Sequence, residues 1–443
     1  MFLYLKYIKN YGKLFYYIYK YKRNKNGNET KIYIDNIINI VKDNGCMLIK
    51  MIQWGLPRYI MLYGENNLTK DLSVFYNNCP IHDISHTEKI YYENFNENIY
   101  DKYIINNIIG SGSIGQVYKI TNIKSKKEYA MKILHPNVDE EFIIFSIFLY
   151  IFILFTKCFL NIKNSDSKTF IKNLGNQIDY NIESLNCTKI CNLYKNNKFI
   201  NIPLIYKCSK NIIIMDLLNM DNYVENSTQI SIKKYKCLLL LLIFINNNCM
   251  NNLSHGDMHS GNWSIDYNID ENYPIINIID FGFCFNIDIN DYKNIDVFLD
   301  NPYKLVNINN LINYLCKEKK YNIDEISNDL YIKMKNSINL ETHINILFSV
   351  IIKYNIKISI SVINLFFIFY QLSSEYNFLI NKKIHNNIDN MDNIDSSIKL
   401  ELVNICDYYN IDNDYTLYLN KFTTKLCLFK KNENYNKYLH LIK

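Results

Sequence analysis

Twelve glycines are spread over 443 residues, and six of them fall in three short motifs: Gly110, Gly112 and Gly115, then Gly256 and Gly261, then Gly282. The single alanine of the chain, Ala130, lies in a fourth. Asparagine occurs 69 times and lysine 47 times against two arginines, the composition expected of a coding sequence poor in G and C. Small residues that survive such a bias mark places where the backbone has little choice. The first motif, Ile109-Gly-Ser-Gly-Ser-Ile-Gly-Gln-Val117, sits between Tyr103–Ile109 and Gln116–Thr121, which both read as strands. A glycine-rich hairpin turn lets backbone N–H groups approach phosphate oxygens. A dinucleotide fold is excluded, because it needs a helix directly after the glycines.

Three more elements follow in a fixed order. Tyr129-Ala130-Met131-Lys132 lies on the next strand, Tyr129–Leu134, across the turn Lys124–Lys127. A kinase needs a strand-borne lysine there to pair the α- and β-phosphates, and the small Ala130 beside it leaves room for a base. Ser254-His-Gly-Asp257-Met-His-Ser-Gly-Asn262 places an aspartate and an asparagine five residues apart, the spacing of a kinase catalytic loop. Asp257 would orient or deprotonate a nucleophile and Asn262 would hold Mg2+. His255 and His259, four apart, would mimic a zinc pair only on a helix, which the glycines oppose. Ile278-Ile-Asp280-Phe-Gly282 ends an apolar strand, and Asp280 would ligate Mg2+. Each motif alone is weakly specific; their order and spacing together point to ATP and Mg2+ binding. The nucleotide set is Gly110, Ser111, Gly112, Ser113, Ile114, Gly115, Gln116, Val117, Ala130 and Lys132.

The catalytic loop reads His-Gly-Asp where an ordinary protein kinase has His-Arg-Asp, and no Ala-Pro-Glu follows Asp280. Gly256 cannot grip a phosphorylated loop as arginine would, so activation by loop phosphorylation is not expected.

Hydrophobic residues make up 49% of the chain and charged residues 21%, enough for a large core. Net charge is +6, and residues 1–28 alone carry +7 with no acid. The remaining 42 basic and 43 acidic residues nearly cancel, so no nucleic-acid surface is indicated. Residues 1–25 alternate lysine with Phe, Tyr, Leu and Ile, as in an organelle transit segment or a basic helix lying on a membrane or on the protein itself. Twelve scattered cysteines without a CxxC pair fit a reducing compartment better than a disulfide framework, and Cys187 and Cys191 read as neighbours on one helix face. Phe142–Thr156 and Ile358–Ser374 are short for membrane spans and are expected to be buried helices.

Hydrophobic spacing predicts one helix over 30–63, helical structure from Pro136 to about 197, strands at Leu204–Cys208 and Ile212–Leu217, a helix over 231–250, a strand pair near 263–279 and mostly helix over 285–443. The fold class is α+β: a small β-rich lobe followed by a helical large lobe, with a cleft between them. The expected divisions are a candidate targeting segment 1–28, a helical extension 29–100, a kinase-like N-lobe with a helical insert 101–218, and a C-lobe with its helical C-terminal region 219–443. Within a predicted helix 170–195, Leu174, Ile178, Ile182 and Leu185 form an apolar stripe, and Asp179, Glu183 and Asn186 share another face. One of the two acids should pair with Lys132, and Glu183 is the favoured one. Lys50, Gln53, Trp54 and Arg58 share a face of the 30–63 helix, with Pro57 expected to end or kink it. Lys50 and Gln53 are expected to gate the nucleotide site, with Lys50 and Arg58 near acidic or phosphate partners.

These stretches resemble the UbiB, or aarF-domain-containing, atypical kinases. The resemblance rests on Gly110–Tyr118, Tyr129–Pro136, Gln177–Asn186, His255–Asn262 and Asp280–Gly282, and on Lys50-Met-Ile-Gln53, which is similar to the family's Lys-x-Gly-Gln segment. Ile52 stands where that segment has glycine, Gln177 where many members have glutamate, and Gly-Ser-Gly where the coenzyme-Q branch has an alanine-rich loop. The resemblance implies Mg-ATP binding, kinase or ATPase activity, a lipid or isoprenoid-quinone precursor as partner, a membrane surface and a mitochondrial address. A plastid-like organelle or the cytoplasm is the alternative location. The competing functions are a small-molecule phosphotransferase of the aminoglycoside- or choline-kinase type, which shares the His-Gly-Asp loop, and a nucleotide-binding scaffold without turnover.

Overall fold

The computed structural model describes residues 2–24, 29–76, 79, 81–160, 167–195, 197, 199–220, 230–266, 275–316, 321–335 and 340–381. The chain divides into two compact units, one of residues 1–188 and 204–217 and the other of 189–203 and 218–443. Residues 189–203 thus join the second unit, and the helical extension belongs to the same unit as the β-rich lobe.

The first unit opens with four helices, α1 (Phe2–Arg23), α2 (Thr30–Asp43), α3 (Cys46–Tyr63) and α4 (Asn67–Leu72). Helix α1 buries Tyr7, Tyr11, Leu14 and Tyr21 and leaves Lys6, Lys9 and Lys13 exposed. One face of the basic helix thus lies on the protein, and its lysines stand on the other. The predicted single helix over 30–63 is two helices. It breaks at Asn44 and Gly45, where φ is +83°. The cause lies far away in sequence: the carboxylate of Glu141 accepts from the Met47 N–H at 3.1 Å, at the start of α3, and from the Tyr7 hydroxyl at 2.8 Å. A carboxylate at a helix N-terminus satisfies an N–H that has no partner within the helix. Helix α3 then runs through Pro57 to Tyr63 without ending.

Helix α5 (Ile84–Phe95) precedes β1 (Tyr103–Ser111), β2 (Gly115–Asn122) and β3 (Glu128–Leu134). Helices α6 (Val138–Leu160), α7 (Ser167–Asn176) and α8 (Tyr180–Leu193) follow. The predicted helix 170–195 breaks at residues 177–179, where the Asp179 side chain accepts from the Asn181 N–H at 3.0 Å. Leu185 is 60% exposed and so leaves the predicted stripe. Strand β4 (Ile200–Asn201) lies in the second unit, while β5 (Ile205–Cys208) and β6 (Ile212–Asp216) return to the first. The five-stranded sheet is ordered β1-β2-β3-β6-β5, antiparallel throughout.

Strand alternation gives this sheet two faces. Met131, Ile133, Tyr118, Ile120, Ile212 and Ile214 pack on one side with Tyr91 of α5 and Tyr103. Val117, Ala130, Leu134, Ile213 and Met215 lie on the other with Tyr180.

The second unit contains α9 (Ile230–Met250), β7 (Ser254–His255), β8 (Trp263–Asp266), β9 (Ile275–Ile278) and β10 (Cys284–Phe285), then α10 (Ile289–Asp300), α11 (Leu305–Leu315), α12 (Ile323–Met334), α13 (Leu340–Lys353) and α14 (Ile360–Asn381). Strands β4, β9 and β8 form one small sheet, and β10 and β7 form another. The mixed α+β class holds, with a small antiparallel sheet early and helices late. No helix of the described residues is long and apolar enough to cross a membrane. The part of the expected C-terminal helical region beyond residue 381 lies outside the described residues.

Candidate functional site

In the first unit, the glycine-rich segment takes in the end of β1, the three-residue connection 112–114 and the start of β2. Ser111 pairs with Gln116, and the Gly112 N–H donates to the Gly115 carbonyl at 2.9 Å. The glycines serve different ends. A Cβ on Gly115 would meet the Tyr180 hydroxyl at 2.1 Å and the Ile133 carbonyl oxygen at 2.8 Å, so packing alone demands glycine there. Gly110 has open space where a Cβ would stand, and the nearest atom to one on Gly112 is 3.7 Å away. Packing asks nothing of these two, and both are exposed. The space beside both is free of side chains, while the Gly112 N–H is taken up by the Gly115 carbonyl. Ser113 and Ile114 at the tip are buried, Ile114 in one apolar cluster with Met47, Leu48 and Ile49 of α3, Val138 and Phe145 of α6, and Leu174. The helical extension therefore holds the tip of the turn.

Lys132 stands at the centre of the sheet, opposite Val117 on β2 and Ile213 on β6. Directly opposed residues share a face, so Lys132 projects beside Val117, Ala130 and Met215. Its Nζ lies 3.0 and 2.9 Å from the two carboxylate oxygens of Glu183 on α8. The Glu183 side chain is 3% exposed and that of Lys132 11%. Asp179, the other candidate acid, caps its own turn instead. The Tyr180 ring centroid lies 5.2 Å from the ammonium.

Gln116 corrects an expectation. Its side chain is fully buried and binds the backbone of His82, accepting from the N–H at 3.0 Å and donating to the carbonyl at 3.3 Å. Its amide group is therefore spent inside the fold rather than offered to a nucleotide. Gln53 likewise donates to the Phe75 carbonyl at 2.8 Å, and Arg58 stacks on Trp54 at 3.7 Å, donating to the Trp54 carbonyl at 2.8 Å. Lys50 is half-buried on the same helix.

In the second unit, β7 leads into a loop over 256–262, so His255 and His259 share no helix face and form no zinc pair. His255 is a strut. Its Nδ1 accepts from the Asp257 N–H at 3.2 Å, which leaves Nε2 to donate to the Ile279 carbonyl at 3.2 Å. It thereby ties the loop carrying Asp257 to the one carrying Asp280. Burial holds its pKa below the usual imidazole value despite the carboxylates of Asp257 and Asp280, consistent with this neutral form. Gln371 of α14 donates to the Asp257 carboxylate at 3.3 Å. Nothing in the sequence signals that contact across 114 residues.

Asn262 donates its amide nitrogen to the Asp257 carbonyl at 2.9 Å, and its own carbonyl accepts from the Ile279 N–H at 2.9 Å. This use of the nitrogen leaves the amide oxygen as its remaining donor atom for a cation. Asp280 is held at φ +61°, a left-handed conformation that costs a non-glycine residue about 1 kcal/mol. Its Oδ1 accepts from the Gly282 N–H at 3.3 Å. Carboxylate and amide oxygens are the hard donors that suit Mg2+. Among the described residues no group of three or more His, Cys, Asp or Glu side chains converges on a metal site. A magnesium site that draws its other oxygens from phosphates and water does not need one.

Gly256 has a packing reason of its own. A Cβ there would lie 2.4 Å from the Phe283 ring and 3.1 Å from its carbonyl oxygen, so the arginine of ordinary protein kinases has no room. Gly256→Ala is expected to cost about 1–3 kcal/mol through overpacking, read as a lowered denaturant midpoint. An unchanged midpoint would contradict the packing account.

A search of curated proteins finds no match. Among solved structures, the chain is similar to Rv3197 of Mycobacterium tuberculosis, determined in complex with erythromycin. The two share 14% identity over 74% of this chain and 87% of that one, with a TM-score of 0.43. The family model of the ABC1 atypical kinase-like domain matches residues 75–307, which takes in every nucleotide and metal candidate and leaves out Lys50 and Gln53. The match covers more than half of the chain, in agreement with the UbiB/aarF resemblance, and the chain belongs to the ABC1 atypical kinase-like family.

Proposed function

We propose that this atypical kinase-like protein binds Mg-ATP and turns it over, as a kinase or an ATPase. The observation that carries the reading is the buried, bidentate Lys132–Glu183 pair. Burying two charges is costly, and a pair of apolar residues would serve stability as well or better. A fixed ammonium on this sheet face has a clear use in holding the α- and β-phosphates. Val117, Ala130 and Met215 offer an apolar floor for the base beside it, and the missing side chains of Gly110 and Gly112 leave room for phosphates over the turn. In the second unit, Asp280 and Asn262 would hold Mg2+, and Asp257 would orient the attacking hydroxyl or water and accept its proton. Bound Mg2+ would offset the charge of the phosphates. Lys50 would act as a gate over the nucleotide, and Gln53 would support it by fixing α3 to the Phe75 carbonyl.

The acceptor we propose is a lipid or isoprenoid-quinone precursor at a membrane surface, in mitochondria. This rests on the family resemblance and on the +7 charge of residues 1–28. Purified full-length protein should release ADP from Mg-ATP, faster when vesicles containing anionic lipid are added. No ADP release under either condition would defeat the turnover reading. Release unaffected by vesicles would defeat the membrane part alone. Residues 1–28 fused to a fluorescent reporter should direct it to mitochondria, and purely cytosolic fluorescence would discard the address.

A further inference from the structure

Behind the glycine-rich turn runs a buried chain of polar side chains that the nucleotide reading does not use. The Gln116 amide nitrogen contacts the Tyr118 hydroxyl. Tyr118 meets Thr87 at 2.9 Å, and Thr87 meets His82 Nε2 at 3.0 Å. His82 Nδ1 lies 2.8 Å from His135 Nδ1, and His135 Nε2 reaches the Gly112 carbonyl at 3.1 Å. All five side chains are under 9% exposed.

Donor and acceptor counting fixes the direction of every link. A carbonyl only accepts, so His135 carries its proton on Nε2 and accepts at Nδ1. His82 must then donate from Nδ1 and accept at Nε2 from Thr87. Thr87 in turn accepts from Tyr118, and Tyr118 from Gln116. The second hydrogen of the Gln116 amide goes to the His82 carbonyl at 3.3 Å. The five contacts hold five hydrogens, one each. An added proton on either imidazole is a sixth, and wherever it settles a buried donor faces another donor or none. The chain is complete only when both rings are neutral.

We propose that this chain positions the glycine-rich turn from behind through the Gly112 carbonyl, so that protonation of the His82–His135 pair releases the turn and weakens nucleotide binding. His135 and His82 are positioning residues and touch no nucleotide. The extension to binding rests on the Mg-ATP reading above; the hold on the turn does not.

The surroundings favour the neutral pair at neutral pH. Burial, with the neighbouring His135 and His86, pushes His82 down to about 4, against a weaker opposing pull from Asp83. Burial lowers His135 as well, opposed by its bond to the Gly112 carbonyl. The other groups on this side are His86, whose Nε2 contacts the Leu134 carbonyl at 3.0 Å, and Lys89, Asp139 and Glu140. These three line a cavity of about 300 Å³ together with His86 and His135, which gives protons an approach. With both pKa values depressed, the unfolded chain binds more protons between the ordinary histidine value of 6.5 and about 4. The hold is therefore full above that window and is lost as pH falls through it.

The test is amide hydrogen exchange of the full chain over residues 110–117, corrected for intrinsic rates, alongside Mg-ATP affinity at about pH 7.5 and about pH 5. Protection of the wild-type turn should fall about tenfold between the two, and affinity with it. His135→Ala should show the low protection at both. His135→Gln keeps an N–H donor toward Gly112 and takes no proton at that position, so its turn should lose clearly less protection than wild type between the two, with only His82 left to titrate. Wild-type protection that is flat with pH overturns the proposal, whatever the variants do. So does His135→Ala with wild-type protection and an unchanged melting temperature. If the wild type binds no Mg-ATP, the functional reading fails while exchange still decides the hold on the turn. If it binds and the exchange prediction fails, the functional reading stands without this device.

Discussion

Asp280→Asn is expected to weaken magnesium-dependent nucleotide binding by about 100-fold or more while leaving the fold intact. The variant separates charge from shape. Asn tolerates the left-handed backbone that Asp280 adopts at φ +61° at least as well as Asp does. Its side-chain oxygen can still accept from the Gly282 N–H, now at 3.3 Å. The carboxylate charge facing the cation is what disappears. The unfolding midpoint should therefore stay within about 0.5 kcal/mol of wild type, while titration of ATP with Mg2+ present loses most of its binding signal. Unaltered Mg-ATP affinity in a well-folded variant would remove Asp280 from the metal site.

Lys132→Met is expected to cost both stability and binding, and the two losses separate on a second substitution. The Glu183 carboxylate, 3% exposed, loses its bidentate partner. Breaking a buried pair in this way typically destabilises by about 3–5 kcal/mol, because a charge stays behind without compensation. The double variant Lys132→Met with Glu183→Leu removes both charges and should recover most of that stability. It should not recover nucleotide binding, because no ammonium remains to meet the phosphates. Chemical denaturation of the two single variants and the double gives the coupling energy directly. A double variant as unstable as Lys132→Met would mean that the lysine stem, rather than the charge pair, carries the packing. A double variant that binds ATP normally would free Lys132 of its assigned role.

Much of the site was legible because it is built from local patterns in a fixed order. Alternation and turn residues located β1, β2 and β3, and a lysine in mid-strand with an acid on a later helix anticipated the Lys132–Glu183 pair. The errors came where a distant side chain settles a local question. Apolar spacing continues across Asn44 and Gly45, yet the helix stops there because Glu141 occupies the start of α3. The break before α8 turns on Asp179 folding back onto Asn181, which hydrophobic periodicity does not register. Gln116 looked like part of the phosphate turn because it follows Gly115, but its strand position points it inward to His82. The loss of arginine at Gly256 was readable, while its reason, the Phe283 ring, was not. His82 and His135 lie 53 residues apart, and nothing in either segment marks them as partners.

The most direct measurement of the central claim is isothermal titration of the purified full-length chain with ATP, with Mg2+ present and with the metal chelated. Saturable binding at one site per chain, lost on chelation and lost in Asp280→Asn, is the result predicted. Absence of saturable Mg-ATP binding in a protein shown to be folded, or binding indifferent to both metal and Asp280, would contradict it.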